Sequence, residues 1–68
     1  MAKWKIVEDS GHYVGVSDKE SPSAAFCDCM VVYGKRLLER DVRPSQVAGN
    51  GYKVTHDDVT YILTEQRA

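Results

Sequence analysis

The chain has 68 residues, of which 43% are hydrophobic and 28% charged, and its formal net charge is −1. That length fits one domain with a thin core, that composition excludes a disordered chain, and that charge excludes a global field able to hold a polyanion or an acidic membrane. The longest apolar run, Cys29 to Tyr33, is far too short to span a bilayer.

A domain of this size buries only about 60% of the surface its unfolded chain exposes. Its net stability is expected at roughly 3–5 kcal/mol, and dimerisation would be an ordinary remedy. The start at Met1 reads as that of a complete small gene product. Met1-Ala2-Lys3-Trp4-Lys5 is followed by polar residues within a few positions, with no signal-peptide apolar region. The only two cysteines sit one residue apart, which is no disulfide framework; a reducing cytoplasm is the expected compartment.

Trp4 to Val16 reads as a hairpin. Trp4 and Ile6 alternate with Lys3, Lys5 and Val7, the period of a half-buried strand. Glu8-Asp9-Ser10-Gly11 supplies the turn, with Gly11 able to take a positive φ. His12 to Val16 resumes the β pattern, and Gly15 within it marks a bulge or a close approach by another backbone.

Ser21 is a good N-cap, and Pro22 at the first helical position is preorganised for a helix. Phe26, Met30, Tyr33 and Leu37 recur at spacings of four, three and four, one apolar face of a helix. The stripe predicts one helix from Pro22 to about Asp41. Lys35, Arg36 and Arg40 would then complement the dipole at its C-terminal end. Val31-Val32-Tyr33-Gly34 conflicts with this, being β-like and holding a glycine that costs roughly 1 kcal/mol inside a helix. A rival reading makes Ala25 to Tyr33 a strand. In the one-helix reading Gly34 lets a strand pack closely.

Pro44 ends the helix, and Pro44 to Ala48 suits one helical turn or a short strand. Gly49-Asn50-Gly51 is turn-forming, with Asn50-Gly51 suited to a type I′ turn. Tyr52 to Thr55 reads as a strand, His56-Asp57-Asp58 as a turn, and Val59 to Thr64 as the strongest strand. In that strand Val59, Tyr61 and Leu63 share one face, and Thr60, Ile62 and Thr64 the other. Glu65 to Ala68 is a polar tail. The expected fold is α+β over residues 1–68, a small antiparallel sheet in β-β-α-β-β order with one helix packed on one face. The other face is left to Lys5, Val7, Thr60 and Ile62 or their neighbours, depending on register.

No catalytic signature emerges, and the chain reads as no enzyme, with no cofactor and no metal. Cys27-Asp28-Cys29 is not a zinc site on a helix, because positions i and i+2 point about 200° apart. On a strand the two thiols would share a face, but only His12 and His56 remain as further ligands. The simpler reading makes Cys29 a small core residue and Cys27 a residue at the core's edge. His56-Asp57-Asp58 is what a hairpin turn needs, and His12 reads as a solvated strand residue. Ser21 and Ser23 are helix-start residues, and Gly-rich phosphate signatures are absent. A domain this small rarely encloses a pocket of several hundred Å³.

Lys35, Arg36, Arg40 and Arg43 lie within nine residues and could contact phosphates, but Glu39 and Asp41 interrupt them. Four tyrosines and one tryptophan exceed what one thin core needs, and such residues favour interfaces. By elimination the expected function is a stand-alone protein-binding module, an inhibitor, adaptor or regulator of the phage or mobile-element accessory kind. Its contact residues would be Trp4, Tyr13, Tyr52 and Tyr61. The alternatives are a nucleic-acid-binding protein using the basic helix end, with the aromatic residues as stacking platforms, and a homodimer formed through an exposed edge or face.

Overall fold

A computed structural model of the chain describes residues 3–47, 49 and 51–66. The elements are β1 (Trp4–Glu8), β2 (Tyr13–Ser17), α1 (Pro22–Val31), a 3₁₀ turn (Glu39–Asp41), β3 (Ser45–Val47), β4 (Gly51–His56) and β5 (Val59–Glu65). The strands form one five-stranded sheet in the order β2-β1-β5-β4-β3, antiparallel at every pairing. The fold is α+β in the expected order, with the short strand β3 added at the far edge. No helix among the described residues is long and apolar enough to cross a membrane.

Alternation sets the two faces. Trp4 and Ile6 of β1, Tyr61 and Leu63 of β5 and Val54 of β4 are buried together with Ala25, Phe26, Cys29 and Met30 of α1. Phe26 stacks edge-on against Tyr61 with ring centroids 4.9 Å apart, and Trp4 meets Tyr52 in the same way at 5.6 Å. The register pairs Lys5 with Thr64 and Val7 with Ile62, then Lys53 with Ile62 and Thr55 with Thr60. These residues make the uncovered face, as the alternation requires.

The first hairpin closes as its turn residues dictate. The Gly11 N–H donates to the Glu8 carbonyl at 2.8 Å, and Gly11 adopts φ +101°. Ile6 faces Gly15 while Val7 faces Tyr13, so Val14 is an extra residue and β2 is bulged. The close neighbour of Gly15 is a side chain rather than a backbone: a Cβ there would lie 3.3 Å from Cys29 Sγ. Gly15 thus leaves room for the Cys29 thiol where α1 packs on β2.

Helix α1 starts where the sequence indicates. The Ser21 hydroxyl accepts from the Ala24 N–H at 3.2 Å, and Pro22 occupies the first helical turn. It ends ten residues earlier than the apolar stripe implies. Gly34 takes φ +76°; its N–H donates to the Val31 carbonyl at 2.9 Å and the Lys35 N–H donates to the Met30 carbonyl at 3.1 Å. This pair of bonds is a Schellman motif with Gly34 at the left-handed position. Gly34 therefore stops the helix instead of admitting a strand, and a Cβ on it would meet nothing within 4 Å. The strand alternative for Ala25 to Tyr33 is excluded, since that segment is helical to Val31. Leu37 still packs against the core, but from an irregular segment.

The second hairpin turns tightly. His56 pairs with Val59, and the two residues between them, Asp57 and Asp58, have φ +51° and +65°. Positive φ at both central positions is the type I′ geometry that matches strand twist. Gly49 has φ +79°, whereas Asn50 of the expected preceding turn, Ala48 at the end of the segment from Pro44, and Arg67 and Ala68 of the polar tail lie outside the described residues.

Candidate functional site

The four aromatic residues expected at a contact surface separate into different environments. Trp4 and Tyr61 are only 4% and 5% exposed and belong to the core, so neither offers a surface. They sit on the covered face of β1 and of the central strand β5, packed with Phe26 and Met30 of α1 in one core. Tyr52 is half-buried against Trp4. Tyr13 alone of the four is open to solvent, at 55%. Trp4 Nε1 is a buried polar atom without a hydrogen-bond partner among the described residues.

The basic set does not cap a helix. Because α1 stops at Val31, none of its last-turn residues is basic, and Lys35, Arg36, Arg40 and Arg43 follow along the connecting segment. Lys35 Nζ lies 3.7 Å from Asp57 Oδ2, the oxygen that also lies 3.4 Å from His56 Nε2. Arg40 sits in the 3₁₀ turn between Glu39 and Asp41. Carboxylates thus divide the cations here.

Glu39 is tied to the start of α1. Its Oε1 accepts from Ser21 Oγ at 3.2 Å and from Ser23 Oγ at 3.4 Å. This places a carboxylate at the positive end of the helix dipole and anchors the connecting segment. An open groove of about 630 Å³ runs beside it, with Cys27, Val31, Arg36, Leu37 and Glu39 among its lining residues. Burial, then the charges of Glu39 and Asp41, push the Cys27 thiol up from its ordinary value. Burial, then Asp28, pushes Cys29 up as well. Both cysteines are on α1, Cys29 buried in the core and Cys27 half-buried, as the helical reading of the motif expects. Among the described residues no group of three or more His, Cys, Asp or Glu is arranged to hold a metal ion.

A second cavity, smaller and more enclosed, opens where the end of α1 meets the first hairpin. It measures about 260 Å³. Val14, Met30, Val59 and Tyr61 supply its apolar lining, and Glu8, His12, Tyr33 and Lys35 its polar groups. Glu8 stands directly opposite Tyr61 in the β1–β5 register, on the covered face of the sheet. These residues are scattered from position 8 to position 61, and no local pattern joins them.

The exposed apolar residues nearest this cavity end the helix, and Tyr33 among them lines it. Val31, Val32 and Tyr33 end the helix in water, Val32 at 84% and Tyr33 at 50% exposure. Tyr13 and Val16 stand on β2 opposite Val7 and Lys5, on the uncovered face of the sheet. The Tyr33 hydroxyl donates to the Val14 carbonyl at 3.1 Å, which brings the helix end against the bulge of β2. Tyr33 escapes a sequence reading because its place in the four-three-four stripe assigns it to the core. The signal that could have exposed it is Gly34, read as a helix stop.

The chain matches no family model, no curated protein and no solved structure.

Proposed function

We propose that this chain is a protein-binding module that docks on a larger protein through the end of α1 and the neighbouring edge strand β2. The observation that carries the reading is the Tyr33–Val14 hydrogen bond, which seats the exposed Val32 and Tyr33 at the end of α1 against the edge strand β2, whose own exposed Tyr13 lies on the other sheet face opposite Val7. Isolated surface valines are ordinary, but three successive exposed apolar residues, Val31, Val32 and Tyr33, at the end of a helix have the composition of an interface core. The pocket beside it gives such a surface relief, and tyrosines around a pocket are typical binding hot spots.

The same bond argues against a second copy paired edge to edge. The bulge at Val14 breaks the regular ladder of β2, and Tyr33 already occupies a Val14 carbonyl lone pair. The proposed occupant is a different protein, met by side chains rather than by strand addition at β2.

The test compares tagged wild type with Val32→Asp and Thr55→Asp on purification from cells that make the protein. Val32 is fully outside the core and Thr55 lies on the opposite, uncovered sheet face, so both variants keep the fold. The expected result is one stoichiometric protein that accompanies the wild type and Thr55→Asp and is lost with Val32→Asp. A partner indifferent to Val32→Asp, or a protein that recovers only copies of itself, would overturn the reading.

A further inference from the structure

The uncovered face of the sheet is ordered by alternation and register. Its middle row crosses the strands as Tyr13, Val7, Ile62 and Lys53. Lys5 and Thr64 lie in the row on one side of it. Thr60 and Thr55 lie in the row on the other, their hydroxyls 3.4 Å apart. The Asp9 N–H donates to the Thr60 carbonyl at 2.8 Å and extends the β1–β5 ladder by one bond. Asp9 therefore stands opposite Thr60, on the face of Lys5 and Val7. Along β1 this face reads Lys5, Val7, Asp9: cation, apolar residue, anion. Neither Lys5 nor Asp9 forms a salt bridge among the described residues. The exposed apolar residues Tyr13, Val16 and Val47 stand on the same face.

A line of cation, apolar residue and anion is complementary to itself when reversed. A two-fold axis between two such faces, crossing the strands along the Val7–Ile62 row, makes that reversal. It lays Lys5 over Asp9 of the second copy, Asp9 over its Lys5, Thr60 over its Thr64, and Val7 and Ile62 over their own counterparts. Sheets packed face to face lie about 10 Å apart with strands within about 30° of aligned, a gap that lysine and aspartate span together. An axis along the strands would lay the Lys5 end of one copy over the Lys5 end of the other. A polyanion laid along β1 would meet Asp9, and a polycation would meet Lys5, so neither matches the face as its own reverse does. Lys53 alone opposes itself. It lies one strand from the edge, where Ser45 beside it on β3 leaves its stem a way out to water.

We infer that the uncovered sheet face is the contact of a two-fold dimer of this chain, with Val7 and Ile62 at its centre and reciprocal Lys5–Asp9 pairs on either side. The inference goes beyond the docking reading, whose surface at the end of α1 it leaves free. Five strands about 4.8 Å apart and about 20 Å long present on the order of 500 Å² per copy. The pair then buries on the order of 1,000 Å², the lower bound of a specific interface, so the dimer is weak, with a Kd expected at roughly 10–100 μM. A second layer on a one-sided sheet also supplies burial that a thin core lacks.

The test is sedimentation equilibrium of the intact chain from about 10 μM to about 1 mM, a range that spans such a constant. Lys5→Asp and Asp9→Lys, each at an exposed position and each checked for fold by circular dichroism, should weaken the dimer at least about tenfold by setting like charges together. The double variant Lys5→Asp/Asp9→Lys should restore it, since the pairs form again with their signs exchanged. Lys53→Gln should tighten it by removing the like-charge meeting. Val32→Asp, on the helix side of the sheet, should leave it unchanged. A chain still monomeric at the highest concentration overturns the inference, as does a double variant no stronger than the single ones or a Lys53→Gln chain that dimerises less. Binding of oligothymidylate or polyglutamate that depends on Lys5 and Lys53 also overturns it, because a foreign polyanion would then cover the face. Loss of the dimer with Val32→Asp does the same, since the contact would then lie at the helix end. If no dimer forms while Val32→Asp still releases a partner, the dimer is refuted and the docking reading stands.

Discussion

At the scale of single residues, glycine geometry and thiol environment make the sharpest statements. Gly34 ends α1 in the left-handed region, where a Cβ is unfavourable by roughly 1–2 kcal/mol. Because a Cβ at this site meets no neighbour, the whole cost is conformational. Gly34→Ala is therefore expected to destabilise the chain by about that amount, measured by urea denaturation, with the slope of the transition unchanged. Cys27 offers a second residue-scale prediction. Its raised thiol value keeps it neutral at physiological pH, so alkylation by iodoacetamide should be slow and should accelerate only on the alkaline side of an ordinary thiol. Glu39→Gln removes one of the charges that raise it and should speed alkylation at a fixed pH, read by mass spectrometry. The stability sign follows from the same shift. The unfolded chain releases the thiol proton at lower pH than the folded one, so stability falls as pH rises above the ordinary thiol value.

At the scale of elements, the two hairpins show why turn chemistry was readable and the helix end was not. Glu8 to Gly11 and His56 to Asp58 are local instructions, and each produced its turn where expected. The second turn is strained in an informative way. Asp58 holds φ +65° with a side chain that is exposed and makes no hydrogen bond among the described residues. Asp58→Gly should relieve that strain and raise stability by a fraction of the roughly 1–2 kcal/mol that left-handed geometry costs an L-residue. In a domain this small about 1 kcal/mol corresponds to roughly 4–8 °C in Tm, so the gain should be visible by calorimetry. The helix is the opposite case. Phe26 and Met30 do face the core, but the stripe that continues through Tyr33 and Leu37 is a coincidence of two structures. Leu37 reaches the same core from a segment that has already left the helix, while Tyr33 has swung out to the bulge of β2. Periodicity alone does not separate these outcomes, because apolar spacing is blind to a left-handed residue between Tyr33 and Leu37.

At the scale of the whole molecule, one thin core carries the fold. Ile6, Phe26 and Leu63 are its largest fully buried side chains, contributed by β1, α1 and β5. Leu63 stands in the strand that joins the two hairpins, so its side chain serves both halves. Leu63→Ala is expected to cost about 2–5 kcal/mol. Against the total of roughly 3–5 kcal/mol typical of so small a core, that loss should leave the chain largely unfolded at 25 °C. A circular dichroism spectrum that keeps its native form with an unchanged thermal transition would contradict this account of the core. The burial of Trp4 and Tyr61 belongs to the same scale. Two of the four aromatic residues suited to a partner are consumed by the core, and the exposed tyrosines that remain, Tyr13 and the unforeseen Tyr33, stand on opposite sides of β2.

The sequence by itself determined the strand periods, the turn positions, the start of the helix at Ser21-Pro22 and hence the α+β class, since each depends on backbone preferences within a few residues. It also told which residues of β5 share a face, because alternation is geometric. The order β2-β1-β5-β4-β3, the depth at which each aromatic lies and the meeting of Glu8, Val14, Met30, Tyr33 and Tyr61 around one cavity were decided by tertiary structure alone. These arise when β5 inserts between β1 and β4 and the helix end folds back on the bulge of β2. Contacts between residues fifty positions apart depend on that packing, and nothing local encodes them.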